Sequence, residues 1–310
     1  MPTSQNQSIR SIISKTPVLH SQFKEAIGEL NKLFNAKVED DYVDGLCITG
    51  ETGVGKTYIK DQFLKQHMRY NTEDRTIIPV LSFDMPTGGQ VKGFSQAGLA
   101  AMDSRYLVGT ETALSQRFAG LLKACGTQMV IVDEAQHFVQ RNGRKSQERA
   151  ADTLKTLMNE AKVCVVLIGT DPLRDLMSVN EQLRRRFSTK IKLREWSPYD
   201  EADLGEVARI FKTFMQDSRI DLNYQDLMNA AFVKRLVYGC GGRICFIAKL
   251  LIEACTLAKA KGQKELRMQH FEQVFRSAIW DEAMPKTNPF NEKFEAKELN
   301  GPNQPFWVAA

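Results

Sequence analysis

Residues 43–57, VDGLCITGETGVGKT, leave this chain little choice of fold. Val43, Leu46, Cys47 and Ile48 form a short apolar run of the kind that makes a buried strand. The run breaks into Gly50-Glu51-Thr52-Gly53-Val54-Gly55-Lys56-Thr57, which satisfies G-x-x-x-x-G-K-[ST] at every fixed position. Tyr58, Ile59, Phe63 and Leu64 then recur at helical spacing. Strand, glycine turn and helix in that order build a phosphate cradle. The glycines let successive N–H groups converge with no Cβ in the way, and the helix start adds its own unpaired N–H groups and positive dipole end. On this reading Gly50 to Thr57 bind a nucleoside triphosphate. Lys56 reaches the β and γ phosphates, and Thr57 ligates Mg²⁺.

Four more strand-like runs follow: TIIPVLSF (76–83), QMVIVD (128–133), VCVVLI (163–168) and TKIKL (189–193). Helical patterns separate them, which predicts a doubly wound parallel sheet of five strands. Pro79 lacks an N–H for a ladder and places its strand at an edge. Ligands in such sheets sit outside the carboxyl ends of the strands, where the third run ends in Asp133-Glu134. Asp133 is expected to bind Mg²⁺, mostly through water, and Glu134 to polarise the attacking water. The fourth run ends at Gly169-Thr170, and Thr170 is the sensor candidate beside the γ-phosphate. NEQLRRRF (180–187) places Arg184, Arg185 and Arg186 after that strand, where oligomeric P-loop ATPases keep an arginine finger acting on a neighbour's nucleotide. One of the three fills the role, and Arg185 and Arg186 are the first choices. Residues 139–149 read as a basic, mobile loop.

From Ser197-Pro198 onward only helical patterns appear, over about 199–216, 224–237, 243–261 and 268–280. Gly239-Cys240-Gly241-Gly242-Arg243 opens the third of them, so Arg243 can reach the γ-phosphate from a lid. The expected domains are a flexible N-terminus (1–15), a nucleotide-binding α/β domain (16–196), a helical lid (197–280) and a tail (281–310). A helix is expected to open at Thr16-Pro17. The tail holds four of the ten prolines, with Phe290, Phe294, Phe306 and Trp307 in a polar background, and reads as disordered or partner-binding. No apolar run is long enough for a membrane span and no secretory leader is present, so a cytoplasmic protein without a membrane partner is expected. The six scattered cysteines read as free thiols. A net charge of +5 permits a polyanionic partner without requiring one. Lys92, Arg105, Thr110 and Thr112 stand at helix starts and loop ends, where a nucleic-acid backbone could be held. A plain solvated face is the alternative.

The order phosphate loop, acidic strand end, threonine sensor, arginine cluster and Gly-Gly-Arg lid resembles the AAA+ ATPases. Within them IVDEAQHF, LIGT, QLRRRF and the compact lid look most like the transposon target-selection ATPases of the TnsC/TniB type, over about residues 16–280. That resemblance implies ATP and Mg²⁺ as cofactors and homo-oligomeric rings or helical filaments on double-stranded DNA. It also implies a link between target-selection proteins and a transposase, with hydrolysis disassembling the complex. Lys56, Thr57, Asp133, Glu134, Thr170 and Arg243 would keep the roles given above. The family's DNA contacts come from the segment before the acidic strand, where Lys92 and Thr110 stand in comparable places. Two rival readings share many of these features: a replication-initiation or helicase-loading ATPase, and a nucleotide-gated signalling scaffold that does not touch DNA.

Overall fold

The computed structural model describes residues 8–40, 43–88, 90–139, 143–217 and 220–308. In chain order these form α1 (Ile9–Lys15), α2 (Ser21–Asp40), β1 (Gly45–Gly50), α3 (Lys56–Gln66), β2 (Tyr70–Asn71), β3 (Thr76–Ile77), β4 (Val80–Asp84), α4 (Val91–Ala101), α5 (Glu111–Ala124) and β5 (Met129–Asp133). There follow α6 (Arg144–Ala161), β6 (Cys164–Gly169), α7 (Leu173–Val179), α8 (Glu181–Arg186), β7 (Thr189–Leu193), α9 (Glu201–Met215), α10 (Ala230–Cys240), α11 (Ile244–Ala260) and α12 (Met268–Val274). The chain divides into two compact units. An α/β unit holds Gln22–Thr52 and Lys56–Leu193, and a helical unit holds the chain up to Ser21, Gly53–Gly55 and everything from Arg194.

The α/β unit is built on a five-stranded sheet of order β4-β5-β6-β1-β7, parallel throughout. Its central strands β1, β5 and β6 are buried at every position, as continuous apolar runs require when helices cover both faces. Phe83, Phe94, Phe118, Phe138 and Leu154 anchor the core on one side. The register sets Asp84 opposite Asp133 and Thr49 opposite Gly169. The carboxyl ends of β1, β4, β5 and β6 therefore lie side by side.

Pro79 does lie on the edge side of the sheet, but it divides the expected strand. Thr76–Ile77 pairs with β2 in a separate hairpin, and only Val80–Asp84 joins the main sheet. The Pro79 carbonyl accepts from the Gln128 and Met129 N–H groups at 3.0 and 3.2 Å, so the break leaves its acceptor satisfied. The second helix begins at Ser21 rather than at Thr16. Thr16 instead closes α1, its N–H donating to the Ile12 and Ile13 carbonyls. Of the basic segment 139–149, residues 140–142 lie outside the described residues, and the rest is already helical from Arg144.

The helical unit differs most from expectation. Residues 8–15 are not a loose end: Ser8 caps α1, and Ile9, Ile12 and Ile13 enter the same core as Phe211, Leu236 and Leu251. The tail is ordered as well. Phe290, Leu299 and Phe306 are buried. Phe290 stacks among Phe271 and Phe275 at centroid distances of 5.3 and 6.1 Å. Arg235 donates to the carbonyls of Pro289 and Asn291 at 2.6 Å, and Asn288 donates to the Glu272 carbonyl at 2.9 Å. These bonds do for a turn-rich segment what a ladder does for a strand. Phe290→Ala should therefore cost about 3–5 kcal/mol in the transition that unfolds this unit, as expected for a buried aromatic. Denaturant titration checks it, and a cost within about 0.5 kcal/mol, the range of surface substitutions, would place the tail outside the core.

Candidate functional site

The phosphate loop runs from the last residue of β1 to the first of α3. Gly53 and Gly55 have φ of 92° and 105°, a region that side chains avoid. Lys56 is buried, and its Nζ donates to the carbonyls of Gly50 and Glu51 at 2.7 and 3.0 Å. Thr57 follows it, exposed, on the first turn of α3.

Asp133 ends β5 and is only 3% exposed. Its carboxylate accepts from the Glu134 N–H at 2.9 Å and meets the Lys60 ammonium at 2.7 Å. Lys60 also lies 3.3 Å from Asp84. Burial alone would lower the Lys60 pKa, but the Asp133 and Asp84 carboxylates outweigh it and hold it above the ordinary lysine value. Lys60 stands three residues after Thr57, so both share one face of α3.

Glu134 takes the left-handed conformation, φ 53°, and its side chain is exposed. For a residue other than glycine this conformation is unfavourable and clusters at functional sites. Gln136 holds the carboxylate in place. Its Nε2 donates to Glu134 Oε2 at 2.5 Å, while its Oε1 accepts from the Thr170 N–H at 3.2 Å. One buried amide therefore ties the acid at the end of β5 to the residue after β6. Gly169 is required for this approach, because a Cβ there would stand 2.5 Å from Gln136 Oε1 and 3.1 Å from the Gln136 N–H.

The arginine cluster forms the last turn of α8, which Asn180 caps by accepting from the Gln182 and Leu183 N–H groups. Arg185 pairs with Glu181 at 2.6 Å and Arg186 donates to Asn159 at 2.6 Å. Arg184 is exposed and has no polar partner among the described residues. Arg243 belongs to the helical unit, where it precedes α11. Its side chain is 12% exposed, 3.5 Å from Glu195, with Nε buried and without a hydrogen bond. It borders a cavity of about 460 Å³ that Trp196, Tyr238 and the tail residues Leu299 and Phe306 also line.

Residues 8–198 match the family model described as Bacterial TniB protein, which is more than half of the chain. The chain belongs to the TniB family. Solved structures share its fold. The Aeropyrum pernix ORC1 protein in complex with DNA is 15% identical over 88% of this chain and 71% of its own, with a TM-score of 0.63. Cdc6p from Pyrobaculum aerophilum is 10% identical over 89% and 72%, with a TM-score of 0.63. The Thermotoga maritima RuvB Holliday junction branch migration motor is 12% identical over 93% and 76%, with a TM-score of 0.51. At these identities the likeness shows the fold, an AAA+ core with a helical domain. A comparison with curated proteins finds no match.

The donor set of this TniB-family chain suits Mg²⁺. The hydroxyl of Thr57 and the carboxylate of Asp133 are hard oxygen donors, and Mg²⁺ is commonly held by one or two carboxylates together with substrate phosphates. Among the described residues no group of three or more His, Cys, Asp or Glu could by itself hold a metal ion, so the substrate phosphates would have to complete the site. No described helix is long and apolar enough to cross a membrane.

The backbone-contact candidates separate. Lys92 lies in the first turn of α4, exposed, and Arg105 is exposed in the loop that follows. Thr110 caps α5, its hydroxyl accepting from the Ala113 N–H at 3.2 Å. Thr112 lines a groove of about 320 Å³ in which Arg149 pairs with Glu111 and the further acids Asp152 and Glu160 oppose a phosphate. Arg117 was not singled out by the sequence. It donates to the Tyr106 carbonyl at 2.8 Å and lies 5.8 Å from the centre of the Tyr106 ring, which holds up a loop whose Tyr106 and Val108 are 73% and 89% exposed.

Proposed function

We propose that this TniB-family chain is a Mg²⁺-dependent ATPase that assembles on duplex DNA when ATP is bound and is released by hydrolysis. In that role it links target-selection proteins to a transposase. The observation that carries the enzymatic part is the Glu134–Gln136–Thr170 bridge, which joins the carboxylate we assign as base to the backbone of the residue we assign as sensor, on adjacent strand ends. Lys56 and the loop N–H groups would bind the phosphates, and Thr57 and Asp133 would hold Mg²⁺. The metal's part is to neutralise the charge shared by the β and γ phosphates. Glu134 would then take a proton from the attacking water while Gln136 keeps its carboxylate aimed. Arg243 would read the γ-phosphate from the lid, and an arginine of α8 would serve a neighbour's nucleotide.

DNA binding is supported by family membership and by the fold shared with an ORC1 protein solved in complex with DNA. Exposed Lys92, Arg105 and Thr110 on one stretch of the α/β unit are the contacts we assign. Binding to duplex DNA, with a non-hydrolysable ATP analogue present, should weaken steeply with salt. Lys92→Glu should flatten the plot of log affinity against log salt by about one unit for the phosphate it no longer neutralises. No binding at low salt would overturn the DNA reading and favour a scaffold. The fold likeness to ORC1 and Cdc6p keeps a replication-initiation role as the second reading. Co-purification with a helicase rather than a transposase would favour it.

A further inference from the structure

We propose that Lys60 is a positioning residue that stands in for the metal at Asp133, and that Asp84 is the seat to which its ammonium moves when Mg²⁺ arrives. The inference rests on the metal-binding role given to Asp133 above. Three features carry it. Lys60 is 9% exposed and Asp133 3% exposed, so without Lys60 the Asp133 carboxylate would be a buried, uncompensated charge, whereas Lys60 keeps Asp84 as a second partner. Both oxygens of the Asp133 carboxylate are engaged, one by the Glu134 N–H and the other by Lys60 at 2.7 Å. Asp84 is register partner to Asp133 on the neighbouring strand, lies 3.3 Å from the same ammonium, and has a side chain 70% exposed.

Asp84 is thus a second carboxylate within a small rotation of the lysine tip, and it is wet where Asp133 is dry. A divalent cation on Asp133 repels an ammonium on the same carboxylate. The flexible four-carbon stem of a lysine lets the charge leave while its methylenes stay packed. While no metal sits on Asp133, the ammonium compensates its carboxylate. Once Thr57, Asp133 and the phosphates hold the metal, Asp84 takes over the ammonium, and no charge is left unpaired in either state.

The two ends of this exchange have opposite signatures, measured on the full chain by the affinity of a fluorescent ATP analogue across an Mg²⁺ titration, with melting temperature as a second readout. Lys60→Met removes the competitor. It should lower the half-saturating Mg²⁺ about tenfold, the factor that about 1.4 kcal/mol of relieved competition makes, and lower the melting temperature in EDTA, with Mg²⁺ and nucleotide restoring more of it than in the parent. Asp84→Asn removes the receiving seat and leaves the fold intact, because that side chain is exposed. It should raise the half-saturating Mg²⁺. Unchanged or same-direction shifts in the two variants would overturn the exchange. If nucleotide binding by the parent chain shows no Mg²⁺ dependence at all, the metal-binding role of Asp133 fails instead. Should Lys60→Met fail to fold, an Mg²⁺ requirement in Asp84→Asn equal to the parent's is enough to reject the proposal.

Discussion

Glu134→Gln is expected to cut ATP turnover by about 10²–10⁴-fold, the contribution of a positioned general base, while nucleotide binding stays within a factor of a few. The substitution is nearly isosteric, and the geometry explains why the site should survive it. The φ of 53° at this position is as unfavourable for glutamine as for glutamate, so the strain does not change. Gln136 Nε2 now donates to Glu134 Oε2 and would find the amide oxygen of the new side chain in the same place. What is lost is the ability to take the water's proton. Because the proposed release step needs hydrolysis, the DNA-bound assembly should persist with ATP where that of the parent disperses. Phosphate release and electron microscopy on the same samples check both halves. Turnover at the parental rate would remove Glu134 from the role of base. Lost turnover with normal disassembly would keep the chemistry and discard the switch.

What the sequence made legible follows from how local each signal is. The phosphate loop, Asp133-Glu134 and Gly169-Thr170 each sit at the end of a strand that its own residues specify, so their shared edge follows once the strands are parallel. Lys60 and Gln136 are not legible in the sequence because Asp84 and Asp133 for the one, and Thr170 for the other, are distant along the chain and become neighbours only through the register of β4, β5 and β6. Lys60 reads in sequence as one more polar residue on a helix. Its single available signal is the i, i+3 relation to Thr57. Residues 8–15 and 281–308 depart from the expectation for a compositional reason, and residues 1–7 lie outside the described residues. Ile9, Ile12 and Ile13 are a helical stripe hidden in a polar stretch. The tail's few large aromatics are spaced by prolines and asparagines, a pattern that suggests disorder, yet Arg235 bonds the tail carbonyls of Pro289 and Asn291 and the tail's own Asn288 bonds the Glu272 carbonyl. Thr16-Pro17 fits a helix start and a helix stop equally well, since proline is common just past a C-cap; the packing of Ile12, Ile13 and Val18 decides for the stop.

Arg184→Ala should abolish the ATPase activity that depends on assembly, by about 10³-fold or more, as loss of an arginine finger does, with nucleotide binding preserved. The sequence pointed first to Arg185 and Arg186, but their guanidinium groups already serve Glu181 and Asn159 within the same chain. Leu183 and Phe187 are buried on either side of the cluster and fix the turn of α8, which leaves Arg184 exposed and without a polar partner among the described residues. A finger must reach another subunit's γ-phosphate, and a side chain with no internal bond to break does so at the lowest cost. Arg185→Ala and Arg186→Ala should therefore reduce turnover much less. Action in trans has its own test. Arg184→Ala subunits keep Glu134 but lack the finger, and Glu134→Gln subunits keep the finger but lack the base, so neither hydrolyses alone. Mixed before DNA and ATP are added, they form junctions at which an intact base faces an intact arginine, and part of the activity returns. A mixture as inactive as its components would show that Arg184 does not act across a subunit boundary. A larger loss in Arg185→Ala or Arg186→Ala than in Arg184→Ala would mean that assembly breaks the internal pair and that the finger is the residue it releases.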